Sequence, residues 1–148
     1  MENLKKPFKV VIIEDDEGHA EITEFYIREA CENMSVVHLH NGNDAMKYIA
    51  KIKSDSSLEP VLIILDLKMP MFDGHQVLQK IKRSPSLMHI PVIIFTTSNA
   101  QTDIEEAFNN HANSYIVKPI EESGFKDIIK PIINYWKLNE VMEPKGVK

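Results

Sequence analysis

Val61-Leu62-Ile63-Ile64-Leu65-Asp66 is a run of five apolar residues closed by a carboxylate, and its reading sets the fold. The run is continuous rather than alternating, which suits a strand covered on both faces and hence a parallel sheet with helices on each side. Phe8 to Ile13 and Val92 to Phe95 share this character, and the shorter runs Val36 to Leu39 and Tyr115 to Val117 complete five strand candidates. Between them, Gly18 to Glu32 and Asp73 to Arg83 carry apolar residues at mixed three- and four-residue spacings, the mark of amphipathic helices. Asn43 to Lys53, Thr102 to Asn110 and Glu121 to about Leu138 supply three more helical patterns. Strand and helix alternate strictly, so the chain is read as a five-fold βα protein of the α/β class. Pro60 and Pro91 introduce strands, while Gly42, Pro70 and Pro119 fall in turns. Lys53 to Glu59 is the most polar connection and is expected to be a surface loop, with residues 143–148 as a frayed tail.

A chain of 148 residues is expected to form one domain over 1–148, with its core over about 8–138. Hydrophobic residues at 43% and charged residues at 26% are ordinary globular values and argue against disorder. Five apolar residues in a row fall far short of the roughly 18 that span a bilayer, and the start Met-Glu-Asn-Leu-Lys-Lys lacks the apolar region of an export signal. Cys31 is the only cysteine, so the fold needs no oxidising compartment and a cytoplasmic location is expected. A net charge of -5 offers no general attraction to nucleic acid, and neither a nucleic-acid nor a membrane partner is expected. With glycines only at 18, 42, 74, 124 and 146, neither a dinucleotide fingerprint nor a P-loop can be written.

Ligands of open parallel α/β sheets bind beyond the carboxyl ends of the strands, so the residues at those ends carry the functional reading. The first strand ends in Glu14, Asp15 and Asp16, the third in Asp66, the fourth in Thr96 and Thr97, and the fifth in Lys118 followed by Pro119. Acids delivered into one pocket repel each other, and a hard cation held through oxygen ligands relieves the repulsion. Magnesium suits a site with few protein carboxylates because it keeps several waters and takes phosphate oxygens. A lysine and a hydroxyl beside it would hold a phosphoryl group, with Asp66 as nucleophile forming an acyl phosphate.

These residues have a family likeness. Val-Val-Ile-Ile-Glu-Asp-Asp (10–16), Leu-Ile-Ile-Leu-Asp-Leu-Lys-Met-Pro-Met-Phe-Asp-Gly (62–74), Pro-Val-Ile-Ile-Phe-Thr-Thr (91–97) and Ser-Tyr-Ile-Val-Lys-Pro (114–119) resemble the receiver domain of two-component response regulators. The resemblance runs from about Phe8 to Leu138 and implies a CheY-like, flavodoxin-like (βα)5 doubly wound sheet with strand order 2-1-3-4-5. It implies Asp66 as phosphoacceptor, Glu14 and Asp15 as the acidic pair, and Mg2+ held by Asp15, Asp66 and the backbone carbonyl of Lys68, with Glu14 acting through water. Thr96 and Lys118 are implied as phosphoryl contacts, Thr96 and Tyr115 as the switch pair, and the Lys118-Pro119 bond is expected to be cis. Asp73 is expected to cap the third helix. The Glu-Asp opening, the doubled Thr96-Thr97 and the Tyr135-Trp136 ending are most similar to single-domain regulators serving phytochrome-type histidine kinases. The implied partners are a sensor histidine kinase and a downstream target or phosphotransfer protein, with a homodimer through helix four, strand five and helix five. His111 departs from the family, standing where receivers carry glycine, so Asn110 or His111 must tolerate a left-handed helix end.

Two other functions compete with a phosphorylation switch. A phosphohydrolase of the haloacid dehalogenase type would carry an aspartate two residues after the nucleophile, and that position is Lys68. A scaffold receiver that takes no phosphate is ranked lower because every residue the chemistry needs is present. The histidines at 19, 38, 40, 75, 89 and 111 show no helical ligand spacing and are read as surface or packing residues, and Cys31 as a small core residue. Met69 and Met71 are assigned to loop packing or a partner surface, Trp136 to the core or an interface.

Overall fold

The continuous apolar runs become strands because both of their faces are covered. In the computed structural model, which describes residues 8–139, β1 (Lys9–Ile13), β2 (Ser35–Leu39), β3 (Leu62–Leu65), β4 (Val92–Thr96) and β5 (Ser114–Val117) form one parallel sheet in the order β2-β1-β3-β4-β5. The register pairs Ile13 with both Leu39 and Leu65, Leu65 with Ile94, and Thr96 with Val117, so the carboxyl ends of the strands finish close together. The helices are α1 (Glu17–Ala30), α2 (Gly42–Ser54), α3 (Gly74–Lys82), α4 (Gln101–Asn109) and α5 (Lys126–Trp136). Residues 143–148, expected as a tail, lie outside the described residues.

Alternation along each strand divides the core in two. Val11, Ile13, Ile63, Leu65, Val92 and Ile94 point to one side and pack with Ala45, Ile49, Val77, Leu78, Ile81 and Ala107 of α2, α3 and α4. Val10, Ile12, Leu62, Ile64, Ile93 and Phe95 point to the other and pack with Ile27 of α1 and Ile129 and Ile133 of α5. At roughly 1.5 to 3 kcal/mol for each fully buried aliphatic side chain, these two layers are the main source of stability.

Local chemistry places the helix ends. Asp16 and Asn41 accept from the backbone N–H groups of His19 and Asp44, and Asp73 forms a reciprocal capping box with Gln76 at the start of α3, as expected. His111 takes the left-handed position after α4, with φ of 70°, and the amide of Ala112 returns to the Ala107 carbonyl. Two expectations change. Lys53 to Glu59 is not a plain loop, because α2 runs to Ser54 and Ser56–Leu58 form a 3-10 turn that Asp55 caps through Ser57. The last helix starts at Lys126 rather than Glu121, after a second 3-10 turn over Glu122–Phe125.

One buried lysine ties the amino-terminal side of the sheet together. Lys82, at the end of α3, donates to the carbonyls of Met88 and Ile90 and to Asn113 Oδ1 at 3.0, 2.8 and 3.0 Å. Burial pushes its ammonium down to about 8.

Candidate functional site

β1 and β3 end side by side because the Asp66 amide donates to the Ile13 carbonyl, and β1 ends beside β2 because the Glu14 amide donates to the Leu39 carbonyl, both at 3.0 Å. β5 ends beside β4 through the Lys118 amide, 2.7 Å from the Thr96 carbonyl. This backbone frame brings Glu14, Asp15, Asp66, Thr96 and Lys118 to one edge.

Lys118 is the centre of the site. Its ammonium lies 2.5 Å from Glu14 Oε1, 3.2 Å from Asp66 Oδ2 and 2.9 Å from His19 Nδ1, above the Phe95 ring. The lysine side chain is 1% exposed, and those of Glu14 and Asp66 are 6% and 7% exposed. Burial, reinforced by the charge of Asp66 and opposed by Lys118, pushes the Glu14 carboxyl up to about 8. Asp15 is exposed, and its carboxylate comes within 4.8 Å of those of Glu14 and Asp66. Asp16 is turned to helix capping, and the backbone N–H of His19 holds its carboxyl below the usual range.

Three carboxylates facing one lysine leave excess negative charge in a largely buried pocket, and the all-oxygen acidic set fits a hard divalent cation. Asp66 is fixed from below by the Lys68 amide, 3.3 Å from its Oδ1. Gly74 packs on the backbone of the same turn, where a Cβ would sit 2.3 Å from the Asp66 carbonyl oxygen. Only glycine admits this approach of α3 to the end of β3.

Thr96 is fully buried and its hydroxyl accepts from the Ser98 amide at 3.4 Å. The Tyr115 hydroxyl donates to the Ser98 carbonyl at 2.9 Å, so Ser98 joins the two residues read as a switch pair. The Ser98 hydroxyl donates to Asp103, whose carboxylate also meets His75 Nε2 at 3.0 Å and Lys68 at 3.8 Å. Sequence reasoning missed Ser98, Asp103, His19 and His75. The position of His19 on the first turn after the acidic triplet is the one local signal that placed it near the acids. The Lys118-Pro119 bond is trans, against expectation, since no peptide among the described residues is cis. Trans is the ground state of X-Pro bonds by about 0.5 to 1 kcal/mol, and Lys118 reaches both carboxylates from it.

The model of the response regulator receiver domain matches residues 10–130. The chain belongs to that family. It is 35% identical over 134 residues to the probable methanogenesis regulatory protein FilR2 of Methanothrix harundinacea (strain 6Ac), covering 88% of this chain and 84% of that protein. It is 28% identical to response regulator Rcp1 of Synechocystis sp. (strain ATCC 27184 / PCC 6803 / Kazusa), covering 92% of this chain and 94% of Rcp1. The Mn2+-bound form of Rcp1 superposes with a TM-score of 0.80 at 24% identity, covering 93% of this chain and 99% of that one. The phosphorylated cyanobacterial phytochrome response regulator RcpA superposes with a TM-score of 0.84 at 30% identity, covering 92% of this chain and 98% of that one. The fold is the CheY-like, flavodoxin-like receiver fold. None of the described helices is long and apolar enough to cross a membrane.

Proposed function

We propose that this receiver is a stand-alone phosphorylation switch that takes a phosphoryl group from a histidine kinase onto Asp66 and signals through a changed protein-binding surface. The observation that carries the reading is Lys118, a nearly inaccessible lysine spanning the Glu14 and Asp66 carboxylates across the ends of three strands. An Asp66 oxygen attacks the phosphorus of a phosphohistidine, the P–O bond forms as the P–N bond breaks, and the imidazole nitrogen leaves with the electron pair. Lys118 and the Thr96 hydroxyl face the peripheral phosphoryl oxygens. Glu14, Asp15, Asp66 and the Lys68 carbonyl would hold Mg2+, which supplies positive charge against those oxygens when bound. Rcp1 has a Mn2+-bound form, which supports a divalent ion as a ligand of this receiver.

The switch pair is Thr96 and Tyr115. Movement of the Thr96 hydroxyl toward a phosphoryl group breaks its contact with Ser98, the residue that also receives the Tyr115 hydroxyl. Output then passes to the face of α4, β5 and α5, where Phe108, Val117 and Tyr135 are exposed. Ile129 and Ile133 are buried, and Ile128, Ile132 and Trp136 pack on the core, so α5 offers this face little beyond Tyr135. A homodimer through it should appear in light scattering as a mass increase with Mg2+ and beryllofluoride over Mg2+ alone. Likeness to RcpA, a phytochrome response regulator, supports a phytochrome-type kinase as donor, with a downstream target or phosphotransfer protein receiving the signal in the cytoplasm. The chain is read as a switch whose only catalysis is its own phosphorylation and dephosphorylation. Intact mass after incubation with acetyl phosphate and Mg2+ tests this: a one-phosphoryl gain supports the switch. Turnover without gain indicates a hydrolase, and neither indicates a scaffold.

A further inference from the structure

Beside the acid pocket, at the end of β2, lies a second group of metal-ligating side chains that the phosphoryl chemistry does not use. His38 is on β2, His40 follows the strand, and Glu17 opens α1. The two imidazole rings have centroids 3.9 Å apart, and His40 Nδ1 lies 3.1 Å from Glu17 Oε2. We propose that Glu17, His38 and His40 form a second cation site on this receiver, one that takes a borderline divalent transition ion such as Zn2+ rather than Mg2+.

The donor chemistry separates this site from its neighbour. Two imidazoles and one carboxylate suit zinc, whereas magnesium prefers oxygen ligands alone. His38 is already oriented as a ligand. Its Nε2 is 2.9 Å from the Glu14 carbonyl oxygen, which can only accept, so Nε2 carries the hydrogen and Nδ1 keeps its lone pair. A backbone carbonyl on the far nitrogen is the usual support of a metal-bound histidine. One ligand atom from each of the three residues lies within 4.8 Å of the others. Tetrahedral ligands at zinc bond lengths are about 3.3 Å apart, so closing the site needs side-chain rotations that draw these atoms together and open the angle between the two rings. The side chains of His40 and Glu17 are 50% and 66% exposed and are free to make them.

The group formed by His75, Asp103 and Glu106 is a weaker claimant, because its Asp103 carboxylate already accepts from Ser98 and faces Lys68. The position of the proposed site gives it a consequence. An ion held there ties the first turn of α1 to the end of β2, bracing the loop that carries Glu14 and Asp15.

The test is zinc titration of the untagged, EDTA-stripped full chain near neutral pH in excess Mg2+, with a chromophoric chelator as competitor. One zinc per chain is expected for the natural sequence and for the Asp15→Asn/Asp66→Asn double variant. His40→Ala and Glu17→Ala, exposed positions whose loss spares the fold, should each weaken binding by about 100-fold, at least the cost of losing a supporting group. Absence of zinc binding, or binding that both single variants leave unchanged, overturns the proposal. Loss of zinc only in the aspartate double variant overturns it as well, by placing the ion in the acid pocket.

Discussion

Replacing Glu14 with Gln should stabilise the divalent-free protein, because the fold holds this carboxyl where its charge is unwelcome. An acid whose value is raised from 4.5 to about 8 binds more protons folded than unfolded between those limits. Its penalty is therefore absent below the lower value, grows as pH rises through the window, and is complete above the upper one. Near pH 7 the penalty is about 3 kcal/mol, and near pH 5 about 1 kcal/mol, at roughly 1.4 kcal/mol per pH unit. The Glu14 side chain is only 6% exposed, so solvent screening takes little from this figure. Glutamine keeps an oxygen for Lys118 and removes the charge. Urea unfolding in EDTA, followed by circular dichroism, should give a midpoint higher by roughly 1 to 2 M near pH 7 at unchanged slope. The gain should shrink near pH 5, and saturating Mg2+ should stabilise the natural protein more than the variant. A Gln variant no more stable than the natural protein near pH 7, or a gain independent of pH, would refute the reasoning.

Asp15→Asn should raise the Mg2+ concentration needed for phosphorylation by acetyl phosphate well above that of Asp16→Asn. Asparagine in place of Asp16 would remain a competent helix cap, so equal effects would mean the triplet is misassigned. Lys82 is depressed from 10.5 to about 8 by burial, so the unfolded state binds more protons between those limits and stability should rise with pH across them. Relative to Lys82→Met, the natural protein should gain on the order of 1 to 3 kcal/mol from pH 8 to pH 10.5 in urea melts, and parallel curves would remove the argument.

The sheet was legible because its strands are short apolar runs with Asp66, Thr96 and Lys118 directly after or at their ends, where periodicity needs no partner information. Helix starts were nearly as legible, since Asp16, Asn41 and Asp73 cap through local bonds. Asp55 carries the same kind of local signal, yet the polar run around it reads as loop until its bond to Ser57 is seen. The displaced start of α5 has a tertiary cause. Gly124 packs on Pro119, where a Cβ would lie 2.9 Å from the ring, and the chain turns in 3-10 form before the helix proper. The contacts of His19 with Lys118 and of His75 with Asp103 join residues 99 and 28 positions apart. Only the assembled topology makes these two contacts, although the place of His19 one turn after the acidic triplet hints at its nearness to the acids. Ser98 was missed for another reason: its role lies in its backbone, which bonds Thr96 through the amide and Tyr115 through the carbonyl.

The central claim is that Asp66 alone accepts the phosphoryl group, and intact mass spectrometry of the natural protein and Asp66→Asn after acetyl phosphate and Mg2+ tests it most directly. A single phosphoryl gain that EDTA abolishes is expected on the natural protein, and none on a folded Asp66→Asn variant. Equal labelling of that variant would contradict it.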